Sequence, residues 1–111
     1  MAHEERLSAS LNGAWELTYT EPETYLGERV QMSFDPSGLL VYGSLEAGTW
    51  QVMLLTYQAD GTVLRTNQPS ASREESTNYV LGSNGHLELE FGGVLCTFER
   101  IDSISFTHAR Q

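Results

Sequence analysis

The chain has 111 residues, which is enough for one domain with a single hydrophobic core. Asp and Glu number fifteen against six Arg, there is no Lys, and the formal net charge is −9. Because a phosphate-binding surface needs clustered cations and these Arg residues are scattered, the composition argues against nucleic acid and against anionic lipid as partners.

The first predicted strand covers residues 11–20 and follows a polar N-terminal arm at residues 1–10. Trp15, Leu17 and Tyr19 alternate with small or polar residues, which is the two-residue period of a half-buried strand. The pattern predicts that these three side chains face the interior. The polar residues 21–27 predict a long loop.

The next three strands are predicted at residues 28–34, 39–42 and 48–57. The first of them alternates cleanly, with Val30 and Met32 on its inner face, and a tight turn at residues 35–38 follows it. Residues 43–47 predict a loop. The strand after that loop is apolar on both faces: Trp50 begins an inward alternation, yet Met53 is apolar too. Either a bulge switches its faces or its outer face is covered.

Four more strands are predicted at residues 62–67, 76–81, 86–91 and 94–100. A tight turn at 59–61 precedes the first of them, residues 68–75 predict a long loop after it, and a tight turn at 82–85 separates the second from the third. Gly92-Gly93 is typical of a two-residue hairpin turn, because adjacent glycines accept positive φ. The resulting register pairs Phe91 with Val94, Leu89 with Cys96, Leu87 with Phe98, and His86 with Glu99. Beyond residue 100, alternation of Ile104, Phe106 and His108 predicts a ninth strand or a C-terminal strap.

The predicted connections sort by length onto the two ends of the meander. The tight turns at 35–38, 58–61 and 82–85 gather at one end, and the longer loops gather at the other, as in a cup with a closed floor and an open rim. An even number of strands brings Arg100 beside Trp15, where a guanidinium can stack on an indole. The fold class predicted is all-β: an antiparallel up-and-down meander closed into an eight-stranded barrel, or a nine-stranded one if the C-terminal segment pairs.

Several motifs resemble those of known barrels. Gly13-x-Trp15 near the start, with Arg100 ending a late strand, resembles the structural signature of the calycin superfamily. The order of Phe34-Asp35-x-x-Gly38, Gly48-Thr49-Trp50, Tyr79, Leu87-x-Leu89 and Phe98-x-Arg100 is similar to that of small bacterial lipocalin-like domains. The resemblance spans residues 11–101, with the chain shorter than true lipocalins. It implies a lipocalin-like barrel over residues 11–111 with an internal pocket, and structural roles for Gly13, Trp15 and Arg100.

The rim end of the interior is the predicted binding surface. Apolar walls with a few phenol and indole donors suit a small hydrophobic or aromatic molecule. The alternative is that these side chains simply fill the barrel, since eight strands are just wide enough for either outcome. Cys96 is interpreted as a small buried hydrophobe rather than a nucleophile. The predicted lining residues are Tyr19, Val30, Met32, Trp50, Tyr79, Leu89, Phe91, Val94 and Cys96.

No built-in cofactor or metal is predicted. No His, Cys, Asp or Glu residues have the spacing of metal ligands, and no Gly-rich loop precedes a helix. The single cysteine excludes an internal disulfide, and the N-terminus lacks a signal-like apolar run. We therefore expect a cytoplasmic protein that does not span a membrane.

Three functions fit this barrel. The leading hypothesis is binding of a small hydrophobic or aromatic molecule. The second is a cyclase or isomerase that folds a hydrophobic intermediate by orientation, with Tyr19, Tyr79 and Trp50 shaping the substrate. The third is a protein-interaction or inhibitor domain; an apolar outer patch would then be a homodimer interface. The residues expected in that patch are Leu40, Met53, Leu55 and Leu95.

Overall fold

The computed structural model describes residues 11–68, 73–82 and 85–106, and these form a closed barrel of eight antiparallel strands in chain order. The all-β meander and its closure are confirmed, and the predicted arm at residues 1–10 lies outside the described residues. No helix able to cross a membrane occurs in these ranges. The strands are β1 (Gly13–Glu21), β2 (Arg29–Phe34), β3 (Leu39–Glu46), β4 (Thr49–Ala59), β5 (Val63–Gln68), β6 (Arg73–Leu81), β7 (His86–Phe91) and β8 (Val94–Ile101).

The connections at the floor end of the barrel agree with the prediction, whereas those at the rim end agree only in part. The connections β2–β3, β4–β5 and β6–β7 lie at the floor, where β1 begins. At the rim, residues 22–28 link β1 to β2, but the loop predicted at residues 43–47 is wrong. There β3 continues to Glu46, and a two-residue turn follows in which Ala47 and Gly48 have φ of 52° and 80°. The predicted loop at 68–75 is also shorter, because β5 includes Gln68 and β6 starts at Arg73.

Trp15 and Arg100 close the floor together, as the sequence predicted. They are paired across the β1–β8 ladder, and the Arg100 guanidinium carbon lies 4.2 Å from the centroid of the Trp15 ring. The indole Nε1 donates to the carbonyl of Leu11 at 3.0 Å, and Arg100 Nη1 donates to the carbonyl of Asn12 at 2.6 Å. Gly13 has φ of 116°, a backbone conformation that favours glycine, and a Cβ there would lie 2.8 Å from Arg100 Nη1 and displace the guanidinium.

Two tyrosines extend the floor. The Tyr57 hydroxyl donates to the carbonyl of Asp35 at 2.8 Å, and its ring packs edge-on against Phe34 at 5.0 Å. The Tyr79 hydroxyl accepts a hydrogen bond from the backbone N–H of Gly61 at 2.8 Å. The prediction that Tyr79 lies at the rim is therefore wrong: it lies near the β6–β7 turn, with its hydroxyl at the β4–β5 turn, both at the floor.

The β7–β8 hairpin has the register that Gly92-Gly93 predicts. Phe91 faces Val94, Leu89 faces Cys96, and Leu87 faces Phe98. Both glycines have positive φ, at 52° and 86°. On the outside of the same hairpin, His86 Nε2 lies 3.3 Å from a carboxylate oxygen of Glu99. This turn fixes which β8 side chains reach the interior.

A β-bulge in β1 turns Tyr19 away from the interior. Leu17 pairs with Phe98, but the next pair along the ladder is Tyr19 with Thr97. The extra residue reverses the facing of the strand, so Tyr19 shares the outer face with Thr97 and is 57% exposed. Its predicted inward orientation is wrong.

The first residues of β4 point to the opposite faces of the sheet from those predicted. Met53 pairs with Tyr42, and Leu55 pairs with Leu40, both on the inner face, whereas Val52 pairs with Gly43 on the outer face. The register runs without a break from residue 49 to residue 56, so no bulge switches the faces. Trp50 therefore lies outside, and Leu40, Met53 and Leu55, which were expected on the outer wall, belong to the interior.

Residues 102–106 form a strap across the outer wall, without strand pairing. Gln31, on the outer face of β2, is completely buried beneath it: its amide donates to Ser105 Oγ at 3.1 Å and accepts from the Ser105 N–H at 2.6 Å. Phe106 packs on Trp50 at 4.8 Å between ring centroids. The strap prediction is confirmed for these residues, and His108 lies outside the described ones.

Candidate functional site

The half of the barrel nearer the rim encloses a cavity of about 410 Å³. The half nearer the floor is filled by large buried side chains, among them Trp15, Phe34 and Phe98. Because tightly packed interiors leave few voids larger than a water molecule, a cavity of this size above a filled floor is a built feature of the barrel. Its lining comprises Leu26, Met32, Leu40, Tyr42, Met53, Leu55, Leu64, Thr66, Gln68, Glu75, Thr77, Leu89, Phe91, Val94 and Cys96.

Most of the lining is apolar. Strands β2, β3 and β4 contribute Met32, Leu40 and Leu55, and the β7–β8 hairpin contributes Leu89 and Cys96 on the opposite side. Met32 and Leu89 are almost fully buried and also belong to the core cluster. These side chains offer dispersion contacts and exclude water from whatever lies between them.

Strands β5 and β6 give one side of the cavity a polar character. We call Thr66, Gln68, Glu75 and Thr77 the polar stripe. Thr66 pairs directly with Glu75 across the ladder, and Leu64 pairs with Thr77 below them. Thr77 is buried, whereas Glu75 is exposed to solvent at the upper end. The stripe therefore runs from the buried middle of the barrel to its rim.

The cavity opens where β4 and β5 separate. The β4–β5 ladder joins residues 56–59 to residues 64–67, whereas β4 pairs with β3 from residue 49 to residue 56. Within the described residues, the rim half of β4 therefore has a ladder partner on one side only. Met53 lies on this half, lines the cavity and is 40% exposed. We call the opening bounded by Met53, Gln68 and Glu75 the mouth.

Two titratable groups inside the cavity are held in their protonated forms. Burial, followed by the proximity of Cys96 and Glu46, raises the pKa of the Tyr42 phenol. Burial alone raises the pKa of the Cys96 thiol. At neutral pH, Tyr42 offers a neutral hydroxyl and Cys96 a neutral thiol, so neither supplies an anion to the cavity.

The structure separates the predicted binding residues into three groups. Met32, Leu89, Phe91 and Cys96, together with Val94, line the cavity. Val30 and Tyr79 are buried in the core but do not line it. Tyr19 and Trp50 lie on the outer wall, the first because of the β1 bulge and the second beneath the strap.

The polar stripe was missed by the sequence reasoning. Strands β5 and β6 carry polar residues on both faces, so their alternation did not distinguish inside from outside. One signal was present: counting in twos from the apolar Leu64 leads to Thr66 and Gln68, and counting back from Tyr79 leads to Thr77 and Glu75. The buried residues Leu64 and Tyr79, near the floor, thus identify the inner face of two strands whose other residues are mostly polar.

No group of three or more His, Cys, Asp or Glu side chains close enough to hold a metal ion occurs within residues 11–68, 73–82 and 85–106. Comparisons of the chain with protein-family models, with curated proteins and with solved structures give no match. The barrel and its cavity are therefore the basis for assigning a function.

Proposed function

We propose that this protein is a small lipocalin-like binding module that holds one hydrophobic or aromatic molecule in the cavity above its floor. The observation that carries the proposal is the cavity itself: about 410 Å³ of largely apolar space, open at the mouth and closed below. This volume falls within the range of small-molecule pockets. The stacked Trp15–Arg100 pair at the floor supports the lipocalin-like part of the proposal.

A ligand in this cavity would replace water against apolar surface. Each methylene group buried contributes about 0.8 kcal/mol, so a ligand with a modest hydrocarbon body gains enough to offset its lost freedom of motion. The Tyr42 hydroxyl and the polar stripe then provide a few directional contacts.

The cyclase or isomerase alternative receives no comparable support. It assigned the shaping of the substrate to Tyr19, Tyr79 and Trp50, and none of these three lines the cavity. The homodimer hypothesis loses most of its proposed surface, because Leu40, Met53 and Leu55 face inward; Leu95 remains on the outer face.

The test is titration with a neutral hydrophobic probe, N-phenyl-1-naphthylamine, whose emission rises in apolar surroundings. We expect saturation at one probe per chain. Val94→Trp should weaken probe binding by about tenfold or more, because the indole would occupy cavity volume that the probe needs. Leu95→Trp is the matched control, since it places the same side chain one residue along on the outer wall.

Circular dichroism and thermal melting of both variants establish that the barrel is intact. Equal probe affinity in the two variants, or no saturable binding by the unaltered protein, would overturn the proposal. Tryptophan quenching is a poor substitute readout, because Trp15 lies in the floor and Trp50 outside the barrel.

A further inference from the structure

We infer that the ligand is an amphiphile whose head is a cation, an ammonium or a similar nitrogen group, held at the mouth while its apolar body fills the cavity. This inference rests on the proposed function and specifies the chemistry of the molecule bound. Two features lead to it: the position of Glu75 in the cavity lining and the charge of the rim as a whole.

Glu75 is placed to meet the head of a bound molecule. It lines the cavity at its upper, solvent-exposed end, and its partner across the ladder is Thr66, which lines the same wall. Gln68 lies beside them at the mouth. An ionised carboxylate only accepts hydrogen bonds, whereas the Thr hydroxyl and the Gln amide can either accept or donate, so a head that donates is the one that all three groups can bind.

The rest of the lining divides the ligand into two parts. On either side of the polar stripe, Met53 and Leu55 of β4 and Phe91 of β7 present apolar surface, and Met32 and Leu89 add to the apolar lining. A charged group would lose its hydration among these side chains without gaining a partner. The charge is therefore at the mouth and the hydrocarbon below.

The rim as a whole is acidic. Exposed glutamates lie at the rim ends of the strands or in the rim loop, while Arg29 and Arg73 are the arginines of this end within the part of the chain that the structure describes. The Arg29 guanidinium is engaged on the outer wall by Glu16, at 2.8 Å. A field of this sign attracts cations and repels anions at distances up to a Debye length. The glutamates are Glu21, Glu23, Glu28, Glu46, Glu74, Glu75 and Glu90.

The experiment compares three ligands with the same hydrocarbon body: decylammonium, decanol and decanoate, each displacing N-phenyl-1-naphthylamine from the unaltered protein at low salt. We expect decylammonium to bind about tenfold more tightly than decanoate, with decanol between them, and the difference to shrink in concentrated salt. Glu75→Gln should weaken decylammonium binding by about threefold to tenfold, and by clearly more than it weakens decanol binding.

Glu74→Gln is the matched control. Glu74 is the neighbouring residue on β6, it is exposed on the opposite face of the strand, and its loss changes the net charge equally. If the two variants weaken decylammonium to the same extent, the effect is general attraction to an acidic protein, and the inference is overturned. It is also overturned if decanoate binds as tightly as decylammonium.

The outcomes distinguish this inference from the proposed function. If all three ligands displace the probe equally, the cavity binds hydrophobic molecules and only the cationic head is wrong. If neither the probe nor any of the three ligands binds, the proposed function itself fails. Thermal melting of both glutamine variants confirms that their barrels are folded.

Discussion

The ring of Phe106 lies directly on the α-carbon of Gly43, so closely that a Cβ at residue 43 would lie 2.5 Å from Cζ of the ring. The glycine lies in the middle of β3, on its outer face, and it is needed there because a side chain would occupy the space of the Phe106 ring. Together with Trp50, Phe106 thus holds the C-terminal strap against the outside of the barrel.

Gly43→Ala should lower the free energy of unfolding by about 1–3 kcal/mol, because the added methyl displaces the Phe106 ring. Urea denaturation measures this. In a Phe106→Ala background the same substitution should be neutral or stabilising, since the clash is gone and glycine disfavours strands. Equal costs in both backgrounds would show that the strap does not pack on Gly43.

Arg100→Ala should lower the free energy of unfolding by about 1–3 kcal/mol. The change removes the guanidinium from the Trp15 ring and deprives the Asn12 carbonyl of a charged donor. Arg100→Lys should recover only part of the loss, because an ammonium cannot stack and donate in the same geometry. Arg65→Ala provides the comparison: its ion pair with Asp60 is long, at 3.8 Å, and exposed, so we expect little change.

Met53→Glu should weaken binding of the neutral probe by about fivefold or more, because the new carboxylate enters an apolar wall of the mouth. Leu54→Glu, the adjacent residue on the outer face, should leave the probe affinity unchanged. Fluorescence titration of the two variants measures the facing of β4 in solution. The reverse result would mean that Val52 and Leu54 point inward.

Acid should weaken the barrel in part through Glu16. The hydrogen bond from Arg29 is the main cause that holds the pKa of Glu16 below its ordinary value of 4.5, with a further bond from Gln31 and with burial acting in the opposite sense. A lowered pKa means that the stabilisation is fully present above the unfolded-state pKa and is lost as the pH falls through the folded-state value.

Urea denaturation between pH 7 and about pH 3 tests this, because the free energy of unfolding should decrease at pH values below about 4.5. Glu16→Gln should reduce the decline of the unfolding free energy in that acid range. Arg29→Met should reduce it as well, and the double variant should show no further reduction, because both changes remove one interaction. An unchanged acid slope in both single variants would rule out this pair as a source of it.

In strands whose two faces differ in polarity, the sequence predicted correctly which side chains face the interior. In β2 and β7 the alternation is unambiguous, and Gly92-Gly93 fixed the register of β8 because a two-residue turn leaves no freedom in pairing. Barrel closure, and with it the contact of Trp15 with Arg100, followed from the even number of strands. Five of the nine predicted lining residues line the cavity, and they come from β2 and from the β7–β8 hairpin.

The remaining binding residues depended on contacts distant in sequence. Alternation predicts facing only while a strand is regular, and the bulge in β1 reverses the face that Tyr19 occupies. In β4 both faces are apolar, so local pattern cannot choose between them; the choice follows from pairing with β3 and from the cover that Phe106 gives to Trp50. The polar stripe likewise acquires its inner position from the buried anchors at the floor. Composition and period thus determined that this chain forms a closed barrel, whereas its tertiary packing decided which side chains surround the cavity.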